Sequence, residues 1–244
     1  MAEWYGDLLA GESTYQKDLI LPNLLRLAQL KKGERVLDCA CGPGFFAREF
    51  FKTGAEVIGV DVSRELIAIA KKNSSPAIAY HAVSADTLPF IANRSIDTIF
   101  LILAVQNIED VHAMFKECAR VLKPNGRLLM VMNHPAFLIP KASAWGWDSK
   151  QNTQYRRIDE YLSESKVPIE MHPGTNARIT TIPYHRPVQF YFKALARSGF
   201  VVGRLEEWVS HKKSAPGPRA GAENRIRKEI PMFLFLEAIM PNKH

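Results

Sequence analysis

The sequence predicts an α/β fold, an open sheet with helices packed on both faces. Three observations predict it. First, the apolar run Val36-Leu37-Asp38-Cys39 leads through the small-residue loop Ala40-Cys41-Gly42-Pro43-Gly44 into Phe45-Phe46-Ala47. That is the strand, turn and helix start of a βαβ unit. Second, strand-like and helix-like stretches alternate from there to Met132. Third, residues 95–103 form a near-continuous apolar run, the pattern of a strand buried on both faces.

Taken in order, residues 4–30 read as helical, with an apolar face through Leu19, Ile20, Leu24, Leu25, Leu27 and Leu30. Pro22 interrupts that face and opens a second helix, and Lys31-Lys32-Gly33 closes it. Residues 55–60 are the second strand, ending at Asp61, and Ser63 caps a helix over 64–72. A third strand spans 80–83 and the fourth 95–103. A helix over 110–122 shows one apolar stripe, Val111, Met114, Phe115, Cys118 and Val121. Lys123-Pro124-Asn125-Gly126 reads as a turn, followed by a fifth strand at 127–132.

An insert rich in aromatics and turn formers covers 142–187, including Trp145, Trp147, Tyr155, Tyr161, Pro173, Gly174 and Tyr184. It also carries Arg156, Arg157, His172, His185 and Arg186. Pro187 then opens a helix that ends at Ser198-Gly199, and late strands follow at 200–208 and 232–239. The expected organisation is one domain. It comprises an N-terminal helical cap (1–33), a ligand-binding core (34–133), an insert (134–187) and a C-terminal helix with two strands (188–244).

The 244 residues suffice for one large domain. No apolar run reaches the ~20 residues that a membrane span requires. The N-terminus, Met1-Ala2-Glu3-Trp4-Tyr5-Gly6-Asp7, does not read as a signal peptide. Cys39, Cys41 and Cys118 are an odd, sparse set, which fits a reducing cytoplasm, and none has metal-site spacing. The formal charge is +7. Much of it is local, with Lys212, Lys213, Arg219, Arg225, Arg227 and Lys228 opposed within 211–230 only by Glu223 and Glu229.

The loop after the first strand identifies a ligand class. A dinucleotide loop would carry G-x-G-x-x-G, and here the third glycine is absent. Pro43 removes a backbone donor that a phosphate cradle would need. Asp38 can accept from a cationic amine, and Asp61 lies at the ~20-residue spacing at which an acid holds ribose hydroxyls. An amine, a ribose and an adenine without phosphate describe S-adenosylmethionine.

The stretch resembles motif I, D-x-G-x-G-x-G, of the class I S-adenosylmethionine-dependent methyltransferases, with Ala40 in place of the first glycine. Ser84-Ala85-Asp86-Thr87-Leu88-Pro89-Phe90 is similar to the family's adenine-contacting segment, with the usual acid aligned on Ser84 and Asp86 two residues on. Ser95-Ile96-Asp97 resembles motif IV, and Arg120-Val121-Leu122-Lys123-Pro124-Asn125-Gly126-Arg127-Leu128 resembles a further signature. The resemblance runs from about Glu34 to Met132 and is closest to the type 11 group, which includes quinone-biosynthesis methylases.

The resemblance implies a Rossmann-like seven-stranded sheet ordered 3-2-1-4-5-7-6, with the seventh strand antiparallel. It implies cofactor contacts at Asp38, Ala40, Gly42, Gly44, Asp61, Val62, Ser84, Ala85, Asp86, Leu103 and Tyr15. Gln106, Asn107, Trp145, Tyr184 and Arg186 are the acceptor-side candidates, and His134 and His185 the candidate bases. Asn107 has an alternative reading as a helix cap. Asn133-His134-Pro135-Ala136-Phe137 is a poor match to the N-P-P-aromatic motif of amino-methylases, because it follows strand five rather than strand four.

The implied activity is transfer of a methyl group from S-adenosyl-L-methionine to a small organic acceptor, anionic or aromatic, leaving S-adenosyl-L-homocysteine. The expectation includes no metal, no membrane span, a cytoplasmic monomer or homodimer, and in-line displacement at the methyl carbon. Two alternatives stand beside it: an RNA methyltransferase using the basic 211–230 segment, and a non-catalytic S-adenosylmethionine-binding protein.

Overall fold

The computed structural model describes residues 13–171 and 179–242. The expected helix start at Trp4, and His172, Pro173 and Gly174 of the insert, lie outside the described residues. A turn of π-helix (Gln16–Ile20) runs directly into α1 (Leu21–Ala28), with Pro22 in its first turn. That helix ends earlier than Lys31-Lys32-Gly33, at Gln29, which takes a left-handed conformation at φ 47°.

The core then alternates as expected: β1 (Arg35–Cys39), α2 (Phe45–Phe51), β2 (Glu56–Asp61), α3 (Arg64–Lys72), β3 (Ala79–Ala82), β4 (Ile96–Ile102), α4 (Val111–Val121) and β5 (Leu122–Asn133). Ser63 caps α3 by accepting from the Leu66 amide at 3.2 Å. Asp110, not Asn107, caps α4, accepting from the Ala113 amide at 2.8 Å.

The insert contains a hairpin, β6 (Ser143–Asp148) with β7 (Thr153–Ile158), and short pairings between β8 (Ser165–Lys166), β9 (Ile169–Met171), β10 (Ile179–Thr181) and β11 (Tyr184–His185). The chain closes with α5 (Val188–Arg197), β12 (Val201–Trp208), α6 (Ala220–Glu229) and β13 (Phe233–Ile239).

The seven-stranded sheet is ordered β3-β2-β1-β4-β5-β13-β12. Its first five strands are parallel, and β13 runs antiparallel between β5 and β12. This is the order the resemblance implied. Successive side chains alternate between two cores. Leu37, Leu101, Met130 and Leu236 face one side with Phe115 and Leu195 of the helices. Val36, Phe100, Val131 and Phe235 face the other, with Leu24 and Phe50. Each such fully buried side chain is worth roughly 1.5–3 kcal/mol over exposure.

One expectation is corrected, and two features are new. The turn at Lys123–Gly126 does not precede β5; it lies within it, looping out between the pairs Ile96↔Leu122 and Thr98↔Arg127, with Asn125 at φ 62°. Residues 143–158 form a hairpin closed by Asp148, whose side chain accepts from the Lys150 and Gln151 amides. The basic segment contains α6, a helix with no buried residue. Among the described residues no helix is long and apolar enough to cross a membrane.

Candidate functional site

In an open parallel sheet, ligands bind beyond the carboxyl ends of the strands. Here that edge carries the loops after β1, β2, β3, β4 and β5. After β1 the chain turns through alternate left-handed residues: Ala40 at φ 58°, Gly42 at φ 54° and Gly44 at φ 78°. Left-handed backbone is nearly free for glycine and costs about 1–2 kcal/mol for other residues. Ala40 bears that cost in a position that favours glycine.

Gly44 is also sterically required, because a Cβ there would lie 2.5 Å from the Tyr80 hydroxyl and 3.1 Å from the Ala70 Cβ. Tyr80, on β3, passes beneath the loop and pairs with Ser74 at 3.0 Å. The Cys41 amide donates to the Val60 carbonyl at 2.8 Å, and Arg48 donates to the Pro43 carbonyl at 2.8 Å, which fixes the loop from both sides.

Two carboxylates flank this loop in opposite states. Asp61 Oδ2 accepts from the Gly42 amide and Oδ1 from the Ser63 amide, both at 2.9 Å. It thereby joins the β1 loop to the α3 start. Asp38 is buried, and its Oδ2 has no hydrogen-bond partner among the described residues. Burial pushes its carboxyl up to about 8; the Ala47 amide opposes this and the Asp61 charge adds to it. An orphaned buried carboxylate oxygen is costly without a donor.

Beside Asp61, Val62 is 75% exposed, an apolar surface open at the rim. The loop after β3 places Ser84 on the exterior and Ala85 and Asp86 half-buried, with Thr87 Oγ1 donating to Asp86 Oδ1 at 3.0 Å.

After β4, Leu103 adopts φ 54° while its amide donates to the Val131 carbonyl at 2.7 Å. A left-handed leucine is strained, and such strain collects at functional sites. Gln106 spends its side chain on the Asn133 backbone, donating to the carbonyl at 3.0 Å and accepting from the amide at 3.2 Å. It therefore ties the β4 loop to the β5 end.

Leu103, Asn107, Tyr184, His185 and Tyr191 line a pocket of about 120 Å³ at this edge. His185 is buried, and its Nε2 lies 2.9 Å from the Tyr161 carbonyl oxygen. A carbonyl only accepts, so Nε2 carries the proton and Nδ1 keeps the lone pair. Arg186, also buried, donates to the Ile108 and Glu109 carbonyls at 3.0 and 2.7 Å, with its guanidinium over the Tyr184 ring at 4.6 Å. It shapes the pocket by holding the segment before α4. The Tyr191 hydroxyl, fully buried, has no hydrogen-bond partner among the described residues. Burial raises its pKa to about 12, against the attraction of the nearby Arg186 charge.

The remaining candidates lie apart. His134 is buried, accepts from the Ala136 amide at Nδ1 (3.2 Å) and therefore donates from Nε2 to Glu207 at 2.7 Å. Burial lowers its pKa and Glu207 opposes the shift. Both nitrogens are engaged, so this ring braces β5 against β12. Tyr15 pairs with Ser210 at 2.9 Å and packs edge-on against Phe233. Trp145 is half-exposed on the hairpin, with Arg156 5.0 Å above its ring.

A larger hollow, about 660 Å³, is an open polar cleft between Lys31 and Arg127, at the amino ends of β1 and β4. It is at the wrong edge for this chemistry. Sequence reasoning missed Tyr191 as a pocket group, and placed Arg156 only among the cations of the insert. Tyr191 lies on the apolar stripe of α5 and reads as core.

Residues 37–130 match a family described as a methyltransferase domain. Curated relatives include the biotin biosynthesis bifunctional protein BioHC of Cellvibrio japonicus, 32% identical over 57% of this chain and 27% of that protein. The demethylmenaquinone methyltransferase of Tropheryma whipplei is 35% identical over 42% of this chain and 44% of its own. The matches thus span less than half the length of these relatives. A solved S-adenosylmethionine-dependent methyltransferase from Mesorhizobium loti superposes with a TM-score of 0.72 at 27% identity, covering 93% of this chain and all of that one.

Proposed function

We infer that this chain, whose core belongs to the class I S-adenosylmethionine-dependent methyltransferases, transfers a methyl group to a small organic acceptor. The observation that carries the reading is Asp38: a buried carboxylate with an orphaned oxygen beside a glycine loop. An ammonium group satisfies that oxygen and repays its desolvation. The residues fit the cofactor. Asp38 would hold its amine, Asp61 has lone pairs left for ribose hydroxyls, and the open side chain of Val62 suits a face of the base. Ala40, Gly42 and Gly44 leave the backbone bare beneath it. Ser84, Ala85 and Asp86 are placed for the adenine edge, and the Leu103 backbone for the methionine end. Tyr15 lies apart from these groups, paired with Ser210 and packed against Phe233.

When bound, the cofactor supplies a sulfonium-activated methyl group. The protein's contribution is alignment and a dry path; well-oriented reactants gain up to ~7–11 kcal/mol of the barrier. The pocket beyond Leu103 receives the acceptor, with Asn107, Tyr184 and Arg186 on its walls and Gln106 holding its floor. The His185 Nδ1 lone pair is the group able to take a proton from an acceptor hydroxyl or amine. The reading places the protein in the cytoplasm, where its three buried free cysteines stay reduced.

Titration calorimetry with S-adenosylhomocysteine tests the cofactor assignment. The wild type is expected to bind, and Asp61→Asn and Asp38→Asn each to weaken binding at least about tenfold, as for the loss of a charge-assisted hydrogen bond. Equal affinity in all three proteins would remove the basis of the reading.

A further inference from the structure

A second pocket, of about 110 Å³, lies on the far side of Leu138 from the one that holds His185. Its walls come from three parts of the chain that are distant in sequence: Tyr15 before α1, Phe137, Trp145 and Arg156 of the insert, and Arg227 with Met232 around α6. We propose that this pocket binds an organic anion, a carboxylate or phosphate ester carried on a ring, between the guanidinium groups of Arg156 and Arg227.

The charge is the first reason. Arg156 is half-buried, donating to the Phe137 carbonyl at 2.8 Å and to Ser143 Oγ at 2.7 Å. Arg227 donates through Nε to Ser214 Oγ at 3.2 Å. Among the described residues neither has a carboxylate within ion-pair distance, while exposed Arg157 beside them on β7 is paired with Asp159. Two partly buried guanidinium groups facing one cavity without a counter-ion are unfavourable, and burial pulls the Arg156 pKa down accordingly. No acidic residue lines the cavity. The surrounding cations, Lys212 over the Tyr15 ring at 4.9 Å and Arg219 over Trp147 at 4.6 Å, add to a positive field that draws anions in.

Shape is the second reason. The remaining walls are mostly apolar, Tyr15, Phe137, Trp145 and Met232 among them, with Ser210 beside them. At about 110 Å³ it is smaller than the ~150 Å³ apolar cavity that accommodates benzene, so it takes no more than one ring. The Arg156 guanidinium lies over the Trp145 ring at 5.0 Å, so cationic and aromatic walls adjoin and together select a ring with an anionic substituent. The basic 211–230 segment thus acquires a defined use, since α6 packs on β7 and delivers Arg227 to this cavity.

That the anion is the methyl acceptor, or part of it, rests on the methyl-transfer reading; its binding does not. Benzoate, phenyl phosphate and neutral benzamide should therefore be titrated by calorimetry against the wild type, Arg156→Gln and Arg227→Gln, with thermal unfolding as the control for folding. Arg156→Lys and Arg227→Lys retain the charge should the glutamine variants fail to fold. The expected result is that at least one anion binds at least about tenfold more tightly than benzamide. The glutamine variants should lose that margin, and the lysine variants keep part of it. Saturating S-adenosylhomocysteine should not displace the anion. Equal binding of benzamide, no binding of either anion, indifference to both arginines, or displacement by S-adenosylhomocysteine would each overturn the proposal. Anion binding without any S-adenosylhomocysteine binding would sustain the pocket and refute the methyl-transfer reading.

Discussion

At the scale of single residues, the two orphaned polar atoms carry the most information, because burial without a partner has a cost that function must explain. Asp38 binds a proton in the folded protein up to a pH of about 8, whereas in an unfolded chain it loses it near 4. The folded state therefore binds more protons between those values. The stabilisation is complete below about pH 4 and is lost as pH rises toward 8. Unfolding of the ligand-free protein should show declining stability across that window, at up to about 1.4 kcal/mol per pH unit. Asp38→Asn should flatten the slope. Cofactor binding should release a proton near pH 7, because an ammonium partner demands the ionised carboxylate; calorimetry in buffers of different ionisation enthalpy measures this. Tyr191 gives the complementary case. Tyr191→Phe removes a buried hydroxyl that makes no hydrogen bond among the described residues beyond the pull of the nearby Arg186 guanidinium, so thermal stability should change little. If the hydroxyl anchors the acceptor, methyl transfer should fall about tenfold or more. Lost stability with unchanged transfer would contradict that role.

At the scale of elements, the β1–α2 turn shows why the motif takes its form. Two of its three left-handed positions are explained by different constraints: Ala40 is limited by conformation, and Gly44 by conformation together with the Tyr80 hydroxyl. Ala40→Gly should be tolerated, with stability unchanged or raised by up to about 1 kcal/mol. Gly44→Ala should cost about 2 kcal/mol or more, partly restored by Tyr80→Phe, as denaturant unfolding would show. The alternation of strands and helices to Met132, the caps at Ser63 and the acids at both strand ends were legible in the sequence because each is a local pattern. The hairpin β6–β7 was obscured by two tryptophans flanking Gly146, which read as pocket formers rather than as strand. Helix α6 has no apolar face to betray it. Arg120, paired with Glu117 one turn earlier on α4, braces the loop before β4 by donating to the Leu88 and Ile91 carbonyls, and no sequence spacing announces those loop contacts. Tyr191, Arg156 and Arg227 acquire meaning only when distant segments meet.

At the scale of the whole molecule, the parallel strands bring five loops to one edge, and the insert and α6 close over its β5 end. The sheet order separates the work. The β1 to β3 side holds Asp38, Asp61 and the bare glycine backbone, while the β4 to β5 side holds His185, Tyr191 and the two pockets flanking Leu138. Under the methyl-transfer reading, a cofactor on one side and an acceptor on the other would meet at Leu103, whose left-handed backbone lies between them. Transfer of label from methyl-labelled S-adenosylmethionine, with cell extract divided into small-molecule, RNA and protein fractions, tests this division most directly. The account requires label in the small-molecule fraction, abolished by Asp61→Asn and reduced by Tyr191→Phe. Label confined to RNA, or none in any fraction from a protein that binds the cofactor, would contradict it.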